Sequence, residues 1–494
     1  MDAVIQGINL ALSWDALAMV SLGVFAGITV GAIPGLTSVM AIAVLVPFSF
    51  FMAPTLGIPF LLGIHKGALF GGSIPAILVN TPGTTPAAAT CLDGYPLSKQ
   101  GQSRSAIEMA LYSSTIGDTF SDIVLILAAF PLAAVALKFG PTEFFSLMLM
   151  GLVVISSVTG PSLVKGLLAA TIGMILGFVG LDIVSGAERF TFGIDSLAER
   201  IGIVPLMIGL FAISEVMIQS EKKISQLSAP HPMAGLKGGV PLKLIVLWRS
   251  GGTIARASII GTIIGAIPGA GAAIATFTSY GIAKRLSKEP EKFGKGSYEG
   301  IAASEAANSS VAGADLIPTL TFGIPGDASA AILMGAFIAQ GLRPGPELFT
   351  EQTGTMYGIF FLLLLGNPIM LIQGKLLTPL FARLVTVRSS ILLPVILLFC
   401  IVGAYIYRNN MVDVQMALGF GVFGYFLRKL RIPMAPLVIA FILAPMAEEA
   451  MKQALVLSDG SFNIFVTRPI SAGFILVSFA LLTVSIFKRP PKLE

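Results

Sequence analysis

Charge is what this sequence has least of. Only 12% of its 494 residues are Asp, Glu, Lys or Arg, about half the share of a soluble globular chain. That shortage excludes an ordinary water-soluble enzyme, and a hydrophobic share of 55% excludes a disordered chain. Nucleic-acid binding is set aside too, because 31 basic against 26 acidic residues is a weak excess; in a membrane protein such an excess orients loops. The only two cysteines, Cys91 and Cys400, have neither disulfide nor metal-ligand spacing and read as small buried hydrophobes. With only His65 and His231 as histidines, no HExxH-type motif exists and no transition-metal site is expected. There is no Walker-type phosphate loop and no nucleophile–base constellation, so no enzyme and no cofactor are expected. No Lys or Arg precedes Lys66, so the start lacks the basic region of a cleavable signal, and the first helix is expected to stay as an anchor.

What is present is apolar length. Residues 16–64 and 257–283 contain no Asp, Glu, Lys, Arg or His. Residues 144–164, 352–374, 389–407 and 469–487 are equally free of them, and each is about one bilayer span of 20 residues. The runs are continuous rather than alternating at period two, which excludes a β-barrel. The expected fold is an all-α polytopic membrane protein with roughly 10–14 membrane segments.

One pattern occurs twice. GVFAGITVGAIPG at 23–35 reads against ASIIGTIIGAIPG at 257–269, an offset of 234. SIPAILVNTPG at 73–83 reads against LIPTLTFGIPG at 316–326, an offset of 243. Phe130-Pro131 and Gly140-Pro141 match Asn367-Pro368 and Thr378-Pro379 at offsets of 237 and 238. The expected units are a first transmembrane repeat at 1–220, a polar Pro/Gly-rich linker at 221–249 and a second repeat at 250–494. Residues 34–82 hold Lys66 as their one basic residue, whereas 268–325 hold Lys284, Arg285, Lys288, Lys292 and Lys295. Basic short loops stay cytoplasmic, so this bias predicts halves inserted upside down relative to each other. The linker and the basic residues Lys488, Arg489 and Lys492 are then cytoplasmic, with Trp14 and Trp248 as interface anchors.

Pro34-Gly35, Pro82-Gly83, Pro268-Gly269 and Pro325-Gly326 sit at matching places in the two halves. Pro removes a donor and Gly lets the chain turn, so each pair predicts a broken or re-entrant helix. Such breaks are tolerated in a membrane only where they are buried in protein or line a cavity. Exposed helix ends favour anions at N–H groups and cations at carbonyls. The expected substrate-binding residues are Gly35, Thr37, Ser38, Asn80, Thr81, Pro82, Gly83, Thr84, Gly269, Pro325, Gly326 and Asp327. Oxygens of Asn80, Asn308, Ser310, Thr321 and Asp327 suit a hard coupling cation, sodium first and a proton second. Glycines 23, 27, 31, 261 and 265 are assigned to close helix packing.

Other polar residues in apolar context have two readings each. Lys66 neutralises a substrate carboxylate or snorkels from a helix end. Asp118 and Asp122 first read as the cap that begins a helix, and second as a cation or proton site. Glu448 and Glu449 are expected to face a loop.

The stretches GAIPGLTS, GGSIPAILVNTPGTTPAAATCLDGYPLSKQG and AANSSVAGADLIPTLTFGIPGDASAAILMGAFIAQGLRPGPELF resemble the large membrane subunit of tripartite tricarboxylate transporters, the TctA family. The resemblance extends over nearly the whole chain. It implies a multi-pass protein of the bacterial inner membrane that takes up di- or tricarboxylates or related organic anions by cation-coupled symport. It also implies two partners, a small membrane subunit of about four helices and a periplasmic solute-binding protein. His65-Lys66 stands where the family's pattern has aromatic residues. An elevator-like movement is expected by analogy with other carriers built on paired broken helices. The alternatives are a self-sufficient transporter or channel for another small solute, and a membrane scaffold or enzyme subunit.

Overall fold

The computed structural model describes residues 2–158, 162–182, 185–221, 239–385, 387 and 389–487. Most of the expected linker (222–238) and the basic residues Lys488, Arg489 and Lys492 lie outside the described residues.

The first half runs α1 (Asp2–Ala11), α2 (Trp14–Gly31), α3 (Ser38–Ser49), α4 (Pro54–Gly71), α5 (Ser73–Val79), α6 (Ala88–Lys99), α7 (Ser103–Ala136), α8 (Pro141–Val158) and α9 (Leu163–Gly177). A two-residue antiparallel hairpin, β1 (Gly180–Leu181) with β2 (Glu188–Arg189), leads to α10 (Asp195–Ala198) and α11 (Ile203–Met207), and a π-helical stretch joins α11 to α12 (Ser214–Glu221). The second half holds α13 (Leu244–Arg249), α14 (Gly251–Gly265), α15 (Gly271–Leu286), α16 (Tyr298–Ala314), α17 (Leu316–Phe322), α18 (Ala328–Ala339) and α19 (Leu348–Glu351). It continues through α20 (Thr353–Leu384), α21 (Ser389–Arg408), α22 (Met411–Lys429), α23 (Met434–Leu457), α24 (Ile464–Thr467) and α25 (Pro469–Phe487). Among the described residues, seven helical stretches are long and apolar enough to cross a membrane, and five apolar helices of 10–17 residues accompany them. The chain is a nearly all-helical polytopic membrane protein. The end of the expected linker is itself helical, as α13.

Element shapes recur along the chain. α5 and α17 each have seven residues, and each ends on a left-handed residue, Asn80 (φ 55°) and Gly323 (φ 68°). Gly35 and Gly269 also share a positive φ, 86° and 83°. Asn and Gly are the residues that enter this region at least cost, which is why they stand at these turns. All four Pro-Gly pairs lie between helices.

Glycine sets how close α2 and α4 come. A Cβ on Gly23 would meet the Phe60 carbonyl oxygen at 2.1 Å, and one on Gly27 would meet that of Ile64 at 2.3 Å. The facing glycines of α4 behave alike: a Cβ on Gly67 would meet the Val24 carbonyl oxygen at 2.3 Å. Bare backbones therefore touch, which is how membrane helices gain dispersion energy without a hydrophobic drive between them. Gly261 of α14 repeats this against Ala307 of α16 at 2.5 Å.

Three sequence expectations are corrected. Asp118 and Asp122 do not begin a helix, because α7 already starts at Ser103; both carboxylates are buried mid-helix against Lys66. Lys66 neither snorkels nor stands free for substrate, being only 2% exposed and ion-paired. Glu448 sits within α23 rather than in a loop, and it binds Arg189 of β2 at 2.8 Å and Lys452 at 2.9 Å.

Candidate functional site

Two of the Pro-Gly turns, at Gly269 and Gly326, meet directly. The Gly269 amide donates to the Gly326 carbonyl at 2.6 Å, and the Gly83 amide to the Gly72 carbonyl at 3.1 Å. The Gly35 carbonyl accepts from the Gln219 side chain at 2.6 Å. The first turns of α3 and α18 approach each other, with Ser38 Oγ 3.5 Å from Ser329 Oγ. Both helices are capped, by Thr37 on the Met40 amide at 3.2 Å and by Asp327 on the Ala330 amide at 2.9 Å. Pro325 and Gly326 are buried, Pro82 is half-buried, and Asn80 and Thr81 are exposed. Thr84 is buried beside Gly72, and its hydroxyl has no hydrogen-bond partner among the described residues.

The residues expected to hold a cation are spread out. Ser310 Oγ donates to the carbonyls of Gly117 (2.9 Å) and Ala306 (2.5 Å), and Thr321 Oγ1 donates to that of Ile317 at 2.7 Å. Asn308 reaches the Leu69 carbonyl at 3.4 Å, while its own Oδ1 has no partner among the described residues.

A buried charged cluster stands where the sequence suggested separate features. Lys66 Nζ on α4 lies 2.8 Å from Asp118 Oδ1 and 2.6 Å from Asp122 Oδ2 on α7, and 3.0 Å from Asn367 Oδ1 on α20. Asn367 Nδ2 donates to Asp122 Oδ2 at 2.8 Å. Next to Lys66 on α4, His65 Nε2 lies 3.6 Å from Asp315 Oδ2, at the junction of α16 and α17. A Cβ on Gly326 would meet the Asp315 Cβ at 2.6 Å, so the Pro325-Gly326 turn packs directly on this carboxylate. Glu305 of α16 is also buried, accepting from Ser73 (2.7 Å), Ser114 (3.0 Å) and Thr90. Unpaired charge inside a membrane is costly and marks functional positions. Sequence reading missed Glu305 and Asn367 as site residues; Asn367 stood out only as a repeat marker beside Pro368, whereas Asp315 was read with Asn308, Ser309 and Ser310 as offering oxygens to a hard cation.

The sequence model of the tripartite tricarboxylate transporter TctA family matches residues 17–439. The chain belongs to this family. Membership makes it a transporter subunit and part of a tripartite system, so it works with partner subunits. The TctA-family chain is 36% identical over 491 residues to the uncharacterized 52.8 kDa protein in the TAR-I ttuC' 3' region of Agrobacterium vitis, covering 97% of this chain and 96% of that one. It is 38% identical over 227 residues to the uncharacterized protein in the TAR-II ttuC' 3' region of the same organism, covering 45% of this chain and 94% of that one. No solved structure matches it. In this TctA-family chain the buried cluster and the Pro-Gly reversals adjoin at Asp315 and Gly326, which puts titratable groups within touching distance of the turns.

Proposed function

We propose that this chain is the transport subunit of a binding-protein-dependent secondary importer in the bacterial inner membrane. Its substrate is a di- or tricarboxylate or a related organic anion, and its driving force is a cation, sodium or a proton. Family membership supports the transporter class, and the paired reversals carry the site. At the facing first turns of α3 and α18, Ser38 and Ser329 offer hydroxyls where helix N–H dipoles favour anions. Thr37, Thr84, Asn80 and Thr81 supply further polar groups around the reversals. One elementary charge moved through about 100 mV releases roughly 2.3 kcal/mol, enough to drive accumulation with an ion gradient added. Movement of one helix group against the other, elevator-like, then gives alternating access.

The matched reversals and the charge bias of the matched loops support two inverted repeats, 1–220 and 250–494, joined by the linker. Single cysteines at Leu56 and Glu289 are expected to react with impermeant reagents from opposite sides of the membrane. Labelling of both from one side rules the inverted arrangement out.

Uptake is expected to need partners, a small membrane subunit and a periplasmic binding protein carrying the carboxylate. Proteoliposomes with all three components should accumulate labelled carboxylate from micromolar supply, whereas the chain alone should not. Full-rate uptake by the chain alone defeats this reading.

A further inference from the structure

We propose that Asp118 is the proton-carrying group of this transporter, with Lys66 and Asp122 as its fixed ion pair, so that the coupling ion is a proton. This rests on the importer reading above. Asp122 is well compensated: its Oδ2 accepts from both Lys66 and Asn367, at 2.6 and 2.8 Å. Asp118 is not. It is 1% exposed, the one cation within ion-pair distance among the described residues is the Lys66 it shares with Asp122, 2.8 Å from Oδ1, and its Oδ2 has no hydrogen-bond partner among the described residues. Two carboxylates against one ammonium leave the trio one negative charge in excess, in a medium where such a charge costs several kcal/mol.

Sodium cannot supply the missing charge here. A sodium ion asks for several oxygens in its first shell, and the three oxygens that converge, from Asp118, Asp122 and Asn367, already surround the Lys66 ammonium. The Lys66 stem borders a small void lined by Val20, Pro59, Leu62, Gly63, Leu362, Leu363 and Gly366, which offers no side-chain oxygen. A proton needs no shell. Adding one to Asp118 Oδ2 leaves Lys66 in place, turns an unpartnered acceptor into a donor and makes the trio neutral. Neutral, the trio crosses the apolar interior with its helices; on the cytoplasmic side the proton leaves and the negative charge returns.

The groups around Asp118 bear on this assignment. The charged groups facing it are Lys66 from α4, Asp122 from its own helix and Asp315 from the α16–α17 junction. Asp315, whose oxygens likewise have no hydrogen-bond partner among the described residues, has the imidazole of His65 beside it at 3.6 Å, and the Asp315→Asn variant below separates the two acids. Glu305 of α16 is held by the hydroxyls of Ser73, Thr90 and Ser114. α6 presents Asp93, whose carboxylate is taken by Tyr280 and by the amides of Gly294, Gly296 and Ser297. The buried faces of α5 and α14 carry no titratable residue.

The test uses proteoliposomes of the full chain with its two partner components and labelled carboxylate. An inward pH gradient without sodium should drive accumulation by the wild type. Asp118→Asn, isosteric and permanently neutral, should lose that accumulation yet keep exchange of labelled for unlabelled substrate, because exchange needs no net proton movement. A purely structural role for Asp118 predicts that both are lost together, and that result overturns the proposal. Accumulation that requires sodium and ignores the pH gradient overturns it while leaving the importer reading intact. So does retention of pH-driven accumulation in Asp118→Asn with its loss in Asp315→Asn. Absence of any uptake with all components present overturns both readings.

Discussion

Lys66→Met is expected to cost most of the folded protein. The ammonium is 2% exposed and faces two carboxylates that are 1% and 0% exposed. Methionine fills about the same volume but leaves Asp118 and Asp122 together with no cation within ion-pair distance among the described residues. Removing one partner of a buried ion pair costs about 3–5 kcal/mol, against a total stability of about 5–15 kcal/mol for typical domains. The expected readouts are a large fall in monodisperse yield from detergent and a lowered unfolding midpoint in whatever protein remains. Adding Asp118→Asn and Asp122→Asn to Lys66→Met should restore both, because the triple variant buries no charge at this place. Asp118→Asn alone should fold, since it leaves Lys66 with Asp122 as a neutral pair. A Lys66→Met protein as stable as the wild type defeats the claim that this ammonium compensates the two acids.

Gly67→Ala is expected to act nearly as strongly, and through packing alone. Its Cβ would sit 2.3 Å from the Val24 carbonyl oxygen and 2.9 Å from the Ile28 amide, both rigid backbone. Carbon–oxygen contacts settle near 3.3 Å, so α4 must back away from α2 by about 1 Å. Overpacking of this kind costs about 1–3 kcal/mol. The displaced helix carries Lys66 and His65, so transport should fall further than stability does. Gly281→Ala in α15 is the control, because its Cβ would meet nothing within 4 Å. There the same exchange should be neutral or stabilising by up to about 1 kcal/mol, the intrinsic helix preference of Ala over Gly. Equal melting temperatures for Gly67→Ala and Gly281→Ala would show that the α2–α4 approach is not set by glycine.

The membrane class and the helical fold were legible in the sequence. Each depends on short-range chemistry. Apolar length follows from the thickness of the bilayer. Continuous helix follows from the need to pair every backbone group in lipid. Reversals at Gly35 and Gly269 follow from a positive φ that few other residues accept. The glycine stripes were legible for the same reason, since a missing Cβ has one main use on a membrane helix.

The start of α7 was not legible. Residues 103–117 include Ser103, Arg104, Ser105, Glu108, Ser113, Ser114 and Thr115, too polar to read as a membrane segment. They are helical because this part of α7 packs on protein, with Gly117 lying against the Ala306 carbonyl. Hydropathy measures exposure to lipid, so it fails where helices bury polar faces against one another.

Sequence by itself thus determined what kind of solvent this chain lives in and where glycine lets the backbone turn, because bilayer thickness and backbone torsion act locally. Only the tertiary structure decided which charges neutralise which. Lys66 meets Asp122 across 56 positions and Asn367 across 301, and Glu305 meets Ser73 across 232. A buried charge has no periodic signature of its own. Its partner is set by which helix faces are packed together, and that packing is a property of the whole bundle.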